Sequence, residues 1–393
     1  AGFSEVGGEG VALEQELLDK VRGAGMRMVG PNCMGVLNTS RTVSMNGTFA
    51  PVYPPRGNVA MSSQSGALGI AILDYAHTAN IGISSFVSVG NKADISGNDL
   101  LLAWEDDPAT DVIVLYLESF GNPRKFARVA RRVARTKPIV AVKSGRTAAG
   151  SRAASSHTGA LASADVAVDA LFHQTGVIRT NTLEELFDVA QLLANQPIPR
   201  GRRVGVITNA GGPGILAADA LESNGLTMAE FSQELQEKLR SVLSPEASVR
   251  NPVDMIASAG PDQYLHMLKV LLDSDEIDSL MAIYIPTTPE GVPEIAAAVR
   301  EALSGYEGDK TFLSVFMQAD DAAQILASDT TRVPTYLFPE AAALALSRAV
   351  RYGEWRNVPE GSIPDLSGVD PKTARYVIDK ALERLGSEGG WLE

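Results

Sequence analysis

Cysteine is almost absent: Cys33 is the one thiol in 393 residues. That excludes an internal disulfide framework and a cysteine-rich zinc site, and no metal site is expected in the chain itself. Basic residues are also few, 34 against 47 acidic ones, for a net charge of −13. This is the wrong sign for gripping a phosphate backbone, so no nucleic-acid partner is expected. No apolar run approaches the ~20 residues that span a bilayer. Residues 1–10, AGFSEVGGEG, lack the basic start and apolar run of a secretory leader. The expected location is the cytoplasm, away from any membrane. Aromatic residues make up 6% of the chain, while Ala, Val, Gly and Leu abound. That balance suits parallel sheets covered by helices. At about 150 residues per domain, the length allows two or three domains.

The pattern along the chain is α/β. Both ends read as cut from something longer. Leu13–Ala24 reads as an amphipathic helix, Met26–Val29 as a strand and GPNCMGVLN (30–38) as a loop. Residues 1–50 are thus expected to be the tail of an α/β domain. After the Pro-rich stretch at 51–57, short apolar runs recur at Val59–Met61, Ser84–Val89, Asp111–Leu117 and Pro138–Val142. Helical patterns at 66–79, 97–105, 123–135, 163–173 and 183–194 lie among and after them. This alternation predicts right-handed crossovers and a parallel sheet over 57–196. A linker at 196–201 leads to a second such segment at 201–360, with strands near 203–208, 278–285, 311–317 and 333–337. Residues 361–393 read as a polar linker and one helix, 371–385.

The two sheet segments begin alike. Residues 58–70, NVAMSSQSGALGI, line up with 203–215, RVGVITNAGGPGI. Val59, Gly66, Gly69 and Ile70 match Val204, Gly211, Gly214 and Ile215. Each reads as a first strand, a small-residue turn and a helix. The turns Ser63-Gln64-Ser65-Gly66-Ala67 and Asn209–Gly214 both qualify as anion sites. Free N–H groups of a first helical turn point outward there, and the macrodipole adds about half a positive charge. Facing each other, the two could hold one phosphoryl group. Neither is a Walker loop nor a complete dinucleotide fingerprint, and any doubly wound domain starts in a similar way.

Histidine is scarce, with four in the chain. His77 and His173 fall within amphipathic helical patterns and read as structural, and His266 has no partner signal. His157 lies in the small-residue segment 143–160, poor core material that can move. It reads either as an exposed loop histidine or as a phosphoryl acceptor, a role that suits a neutral imidazole near pH 7. Such a ring needs its other nitrogen held. Glu118, just past the run Asp111–Leu117 at the edge where such sheets place ligands, is the candidate orienting group. The bland alternative for Glu118 is a helix-capping or surface carboxylate.

At these residues the sequence resembles the NDP-forming acyl-CoA synthetases, the family of ADP-forming acetate–CoA ligase and succinyl-CoA synthetase. The motifs are GPNCMG (30–35), SSQSGALG (62–69), SVGNKAD (88–94), LYLES (115–119), KSGRT (143–147), SSHTGALA (155–162), NAGGPG (209–214) and NPVD (251–254). The resemblance implies tandem flavodoxin-like, succinyl-CoA-synthetase-like domains after the tail of a Rossmann-like CoA-binding domain. It implies that acid, CoA and ATP interconvert with acyl-CoA, ADP and phosphate through an acyl phosphate and a phosphohistidine. His157 would carry the phosphoryl group and Glu118 hold its ring. Ser63, Gln64, Ser65, Gly66 and Ala67, with Gly211, Gly212 and Gly214, would steady the phosphate. Asn32 and Cys33 would lie at the acyl/CoA end. The implied partners are a small carboxylic acid, CoA, phosphate, an ATP-grasp domain or subunit that binds the nucleotide with Mg²⁺, and an oligomeric assembly.

Two alternatives come from other classes. One is a synthetase-like sensor module of a protein lysine acetyltransferase, which need not keep the histidine. The other is a scaffold whose anion sites are incidental. Retention of His157, Glu118 and both Gly-rich turns favours catalysis. The acyl substrate is not legible.

Overall fold

The structure is a computed structural model that describes residues 2–147, 149–150, 152, 165–288, 291–318, 322–327, 333–362, 368 and 370–385. It divides into a unit of residues 1–357 and a second of 358–393. In the second, the helix Pro371–Leu385 is held at its start by Asp370, which accepts from the Lys372 N–H and the Thr373 hydroxyl at 2.9 and 2.7 Å.

The first unit carries two sheets. One contains β1 (Gly35–Asn38), β2 (Met45–Thr48), β3 (Arg56–Ser63), β4 (Ile83–Ser88), β5 (Val112–Leu117), β6 (Ile139–Lys143) and β7 (Ile178–Thr180), in the order β2-β1-β4-β3-β5-β6-β7. The other contains β8 (Arg203–Thr208), β9 (Thr227–Met228), β10 (Val253–Asp254), β11 (Ser279–Tyr284), β12 (Thr311–Phe316) and β13 (Thr335–Tyr336). It runs β10-β8-β11-β12-β13, with β9 also on β8. The five strands β3 to β7 and the five-strand path of the second sheet are all parallel, each with its first strand second in line. The strands β5, β6, β11 and β12 are mostly apolar and almost wholly buried, as strands covered on both faces must be.

Local chemistry sets where the helices begin. Ser65 caps the helix Gly66–Thr78 by accepting from the Leu68 N–H at 3.3 Å. Asn122, followed by Pro123, caps Pro123–Val133, and Thr182 caps Leu183–Asn195. At the start of Gly97–Glu105 the Ser96 N–H and hydroxyl both donate to the Asp99 carboxylate, at 3.0 and 2.6 Å.

Two features differ from the sequence reading. Met26–Val29 is no strand. Its backbone is taken up by the 93–95 turn instead: Met28 N–H reaches Asp94 at 2.9 Å, Ile95 N–H reaches the Met28 carbonyl at 3.1 Å, and Ala93 N–H reaches Gly30 at 3.0 Å. The second difference is a hairpin. β1 pairs antiparallel with β2 and, through Val36–Val87 and Leu37–Phe86, with β4. Residues 35–48 therefore extend the first sheet across the boundary expected at residue 50. Their sequence lacks a clean period of two, because β2 is exposed at three of its four positions.

One buried apolar cluster runs through both halves, joining Leu186 and Leu193 of the helix Leu183–Asn195 to Val206, Leu346 and Tyr352. Hydrogen bonds cross the same seam. Tyr336 Oη donates to the Asp188 carbonyl at 3.0 Å, Arg348 Nε to Glu185 at 2.8 Å, and Tyr352 Oη to the Ala134 carbonyl at 2.7 Å.

Candidate functional site

In the order of the first sheet, the connection after β3 runs to β4 on one side, and the connection after its neighbour β5 runs to β6 on the other. At this switch point a crevice opens beyond the carboxyl ends. A cavity of about 750 Å³ lies there, lined among others by Asn32, Cys33, Gln64–Ala67, Gly90–Lys92, Glu118 and Ser119.

Three loops build it. After β3, the Ser65 cap leaves the first-turn N–H groups of Gly66 and Ala67 without intrahelical partners at the cavity wall. After β5, the turn is clamped by Gln64. Its Oε1 accepts from the N–H groups of Glu118 and Ser119 at 2.8 and 2.9 Å, and its Nε2 donates to the Ser119 carbonyl at 2.6 Å. The third loop, 88–93, is pressed against 30–34. Met34 N–H donates to Ser88 Oγ at 3.0 Å, and Asn91 N–H to the Pro31 carbonyl at 3.0 Å. Gly90 has a positive φ, and a β-carbon there would sit 2.3 Å from the Pro31 oxygen. Only glycine fits.

Electrostatically, Glu118 stands between two lysines. Burial pushes the Lys92 ammonium down to about 8, with Glu118 opposing the fall and Lys143 adding to it. Burial also lowers Lys143, again against the pull of Glu118. Lys92 Nζ donates to Ser119 Oγ at 2.6 Å, and Lys143 Nζ to the Ser144 carbonyl at 2.5 Å. At the mouth, burial works against the Glu5 carboxylate, but hydrogen bonds from Asn91 and the backbone hold it down at about 2.

The expected site residues separate. Asn32, Cys33, Gln64, Ser65, Gly66, Ala67 and Glu118 all line the cavity. Ser63 does not; it is fully buried and its hydroxyl is spent on the Ser65 carbonyl at 2.8 Å. Gln64 lines the cavity, but its amide is engaged by the 118–119 turn. Gly211, Gly212 and Gly214 start the helix Gly211–Ser223 after β8 and are not among the described residues lining this cavity. The second turn has Asp254 beside it, for a β-carbon on Gly211 would be 3.1 Å from Asp254 Oδ2. A carboxylate at that helix start disfavours an anion. His157 lies outside the described residues.

Sequence reasoning passed over Lys92, Asn91 and Ser119. Lys92 and Asn91 fall in SVGNKAD and Ser119 ends LYLES, but no spacing along the chain says that the two loops meet. Among the described residues, no group of three or more His, Cys, Asp or Glu could hold a metal ion, and no helix is long and apolar enough to cross a membrane.

Comparison with known proteins follows the same division. Residues 56–193 match the succinyl-CoA ligase like flavodoxin domain, and residues 204–350 the ligase-CoA domain. The chain is 41% identical over 350 residues to the alpha subunit of ADP-forming acetate–CoA ligase II of Pyrococcus furiosus, a match covering 88% of this chain and 75% of that one. The chain belongs to the ADP-forming acyl-CoA ligase family. The ADP-forming acetate–CoA ligase I of Archaeoglobus fulgidus is 37% identical over 99% of this chain, which spans 56% of that longer protein. The dinucleotide-forming acetyl-coenzyme A synthetase 1 of Ca. Korarchaeum cryptofilum, solved with phosphate and ADP, superposes with a TM-score of 0.83 at 37% identity. That match covers 91% of this chain and 76% of the other. The flavodoxin-like, parallel-sheet architecture expected of an acyl-CoA ligase is therefore present.

Proposed function

We propose that this chain is the phosphohistidine-bearing part of an acid–CoA ligase that forms ADP, working in the cytoplasm with an ATP-grasp domain or subunit. On this reading, inorganic phosphate attacks the thioester carbonyl of acyl-CoA, the C–S bond breaks, and free CoA and an acyl phosphate result. A ring nitrogen of His157 then takes the phosphoryl group as the P–O bond to the acyl oxygen breaks, releasing the carboxylic acid. The phosphohistidine is carried to the ATP-grasp partner, where ADP, bound with its Mg²⁺, accepts the phosphoryl group. The reverse sequence makes acyl-CoA. The relatives named above carry the ligase name, which favours this reading over a sensory module.

Each residue has a chemical task. The N–H groups of Gly66 and Ala67 receive phosphoryl oxygens at a helix start. Glu118 accepts from the imidazole N–H, so that the other ring nitrogen presents its lone pair. Asn32 and Cys33 border the acyl and CoA end. In the sequence His157 lies between Lys143, at the end of β6, and Asp165, at the start of the helix Asp165–Thr175. β6 lies beside β5, the strand that ends at Glu118.

The observation that carries the reading is the single cavity holding Glu118, the Ser65–Ala67 helix start and the Asn32–Cys33 loop. The test is exposure of the purified chain to acetyl phosphate, followed by intact mass measurement of wild type and His157→Ala. One acid-labile phosphoryl adduct on wild type alone is expected. If neither this chain nor a form extended at its N-terminus takes the adduct, the reading fails.

A further inference from the structure

Lys92 is the only lysine or arginine among the described residues lining the cavity; the other ionisable groups there are Glu5, Cys33 and Glu118. A helix start supplies partial charge. A dianion placed beside a carboxylate in a partly dry cleft calls for a full positive charge as well. The ammonium is built for availability. Among the described residues its hydrogen bonds both go to Ser119, at 2.6 Å to Oγ and 3.4 Å to the carbonyl, and no carboxylate lies within salt-bridge distance of it. Three N–H donors with two acceptors on one residue leave one for a ligand.

The backbone points the same way. Lys92 has a φ of 62°, a left-handed conformation that a long side chain seldom adopts. It is held there by its own N–H on the Val89 carbonyl at 3.0 Å, and the flanking turn is locked onto Pro31 and Gly30. Strain kept by surrounding contacts is typical of functional sites.

We propose that Lys92 is the phosphate-binding cation of the cavity, its Nζ taking an oxygen of inorganic phosphate or of the acyl phosphate opposite the Gly66–Ala67 N–H groups. The inference deepens the proposed ligase reading and rests on it for the identity of the substrate. The ionisable groups around Nζ are Glu118 from the end of β5, Lys143 from the end of β6, and Glu5 and Cys33 across the cavity; Asp94, on the same loop, is held by Arg22 and Arg27.

The test is binding of inorganic phosphate to the purified chain by titration calorimetry, for wild type, Lys92→Met and Lys92→Arg, with melting curves to verify folding. Lys92→Met is expected to weaken phosphate binding about tenfold or more, and Lys92→Arg to keep it within about threefold. Wild-type affinity should fall as pH rises through about 8, while that of Lys92→Arg should hold. Equal phosphate affinity in wild type and Lys92→Met, or none in wild type, would overturn the proposal. So would a Lys92→Met defect in binding acetate with phosphate unaffected. The two readings fail separately. Lys92-dependent phosphate binding without a phosphohistidine leaves the site standing and removes the ligase. A normal phosphohistidine yield in Lys92→Met, with normal phosphate affinity, does the reverse.

Discussion

Gln64 and Asn209 make the same clamp in the two halves of the chain. Each follows the first strand of its sheet, and each uses its side-chain amide to fasten the backbone just beyond the neighbouring strand. Gln64 takes Glu118 and Ser119, and Asn209 takes both the N–H and the carbonyl of Ile285 at 2.9 Å. The residue before each clamp also repeats: the Ser63 hydroxyl bonds the Ser65 carbonyl, and the Thr208 hydroxyl bonds the Ala210 carbonyl. The halves diverge where chemistry is concerned. Where the first has a serine cap and Glu118, the second has Ala210 with no side-chain cap, and Ile285. The repeat is one scaffold used twice, with the carboxylate retained in one copy.

Gln64→Ala should therefore act on Glu118 without touching it. Three hydrogen bonds are lost, each worth about 0.5–1.5 kcal/mol net, and the 118–119 turn is released. A stability loss of about 2 kcal/mol is expected in chemical denaturation, together with slower phosphorylation of the chain by acetyl phosphate. A full-rate phosphorylation in a destabilised Gln64→Ala protein would show that the turn needs no clamp.

Glu118→Gln keeps the shape and removes the charge. If Glu118 fixes the tautomer of His157, the phosphorylation rate should fall by about 10²–10⁴, the range for losing an orienting or general acid–base group. The melting curve should stay close to wild type, since the Gln64 clamp holds only the Glu118 backbone. Rapid-quench measurement of phosphohistidine formation checks both halves of this expectation.

The legible parts of the sequence were those written in local pattern. Strands such as Val112–Leu117 and the helices that begin at Gly66 and Pro123 carry their signals within a few residues. Glu118 was legible because it follows a strand at the ligand edge. The β1–β2 hairpin was not, because exposed Met45–Gly47 gives no alternation. Lys92 was hidden for another reason: its meaning depends on Ser119, 27 residues away, and on a turn that closes only when Gly90 meets Pro31. The presence of Asp254 beside Gly211 likewise depends on tertiary placement.

Gly90→Ala tests how tightly that closure is made. The added carbon would meet the Pro31 and Asn32 oxygens at 2.3 and 2.4 Å, at a positive φ. Both loops must shift, with an expected cost of at least about 2 kcal/mol. The melting temperature should drop by a few degrees, at about 1–1.5 °C per kcal/mol for a chain of this size. Inorganic phosphate binding should weaken with it, because Lys92 rides on the displaced turn.

Asp188 provides the pH test of the seam between the two halves. Burial, helped by the charge of Glu184, pushes its carboxyl up to about 7, while a bond from Gln191 pulls against the rise. The folded value lies above the unfolded one of about 4, so the folded state holds an extra proton between them. The contribution to stability is fully present below about pH 4 and is lost as pH rises through about 7. Asp188→Asn removes the ionisation and keeps the shape, and the bond from Tyr336 goes to the Asp188 backbone carbonyl. The variant should match wild type near pH 4 and exceed it by about 1–3 kcal/mol at pH 8. Denaturant melts of both proteins at the two pH values decide this. A gain of equal size at both would assign the effect to packing and not to the buried charge.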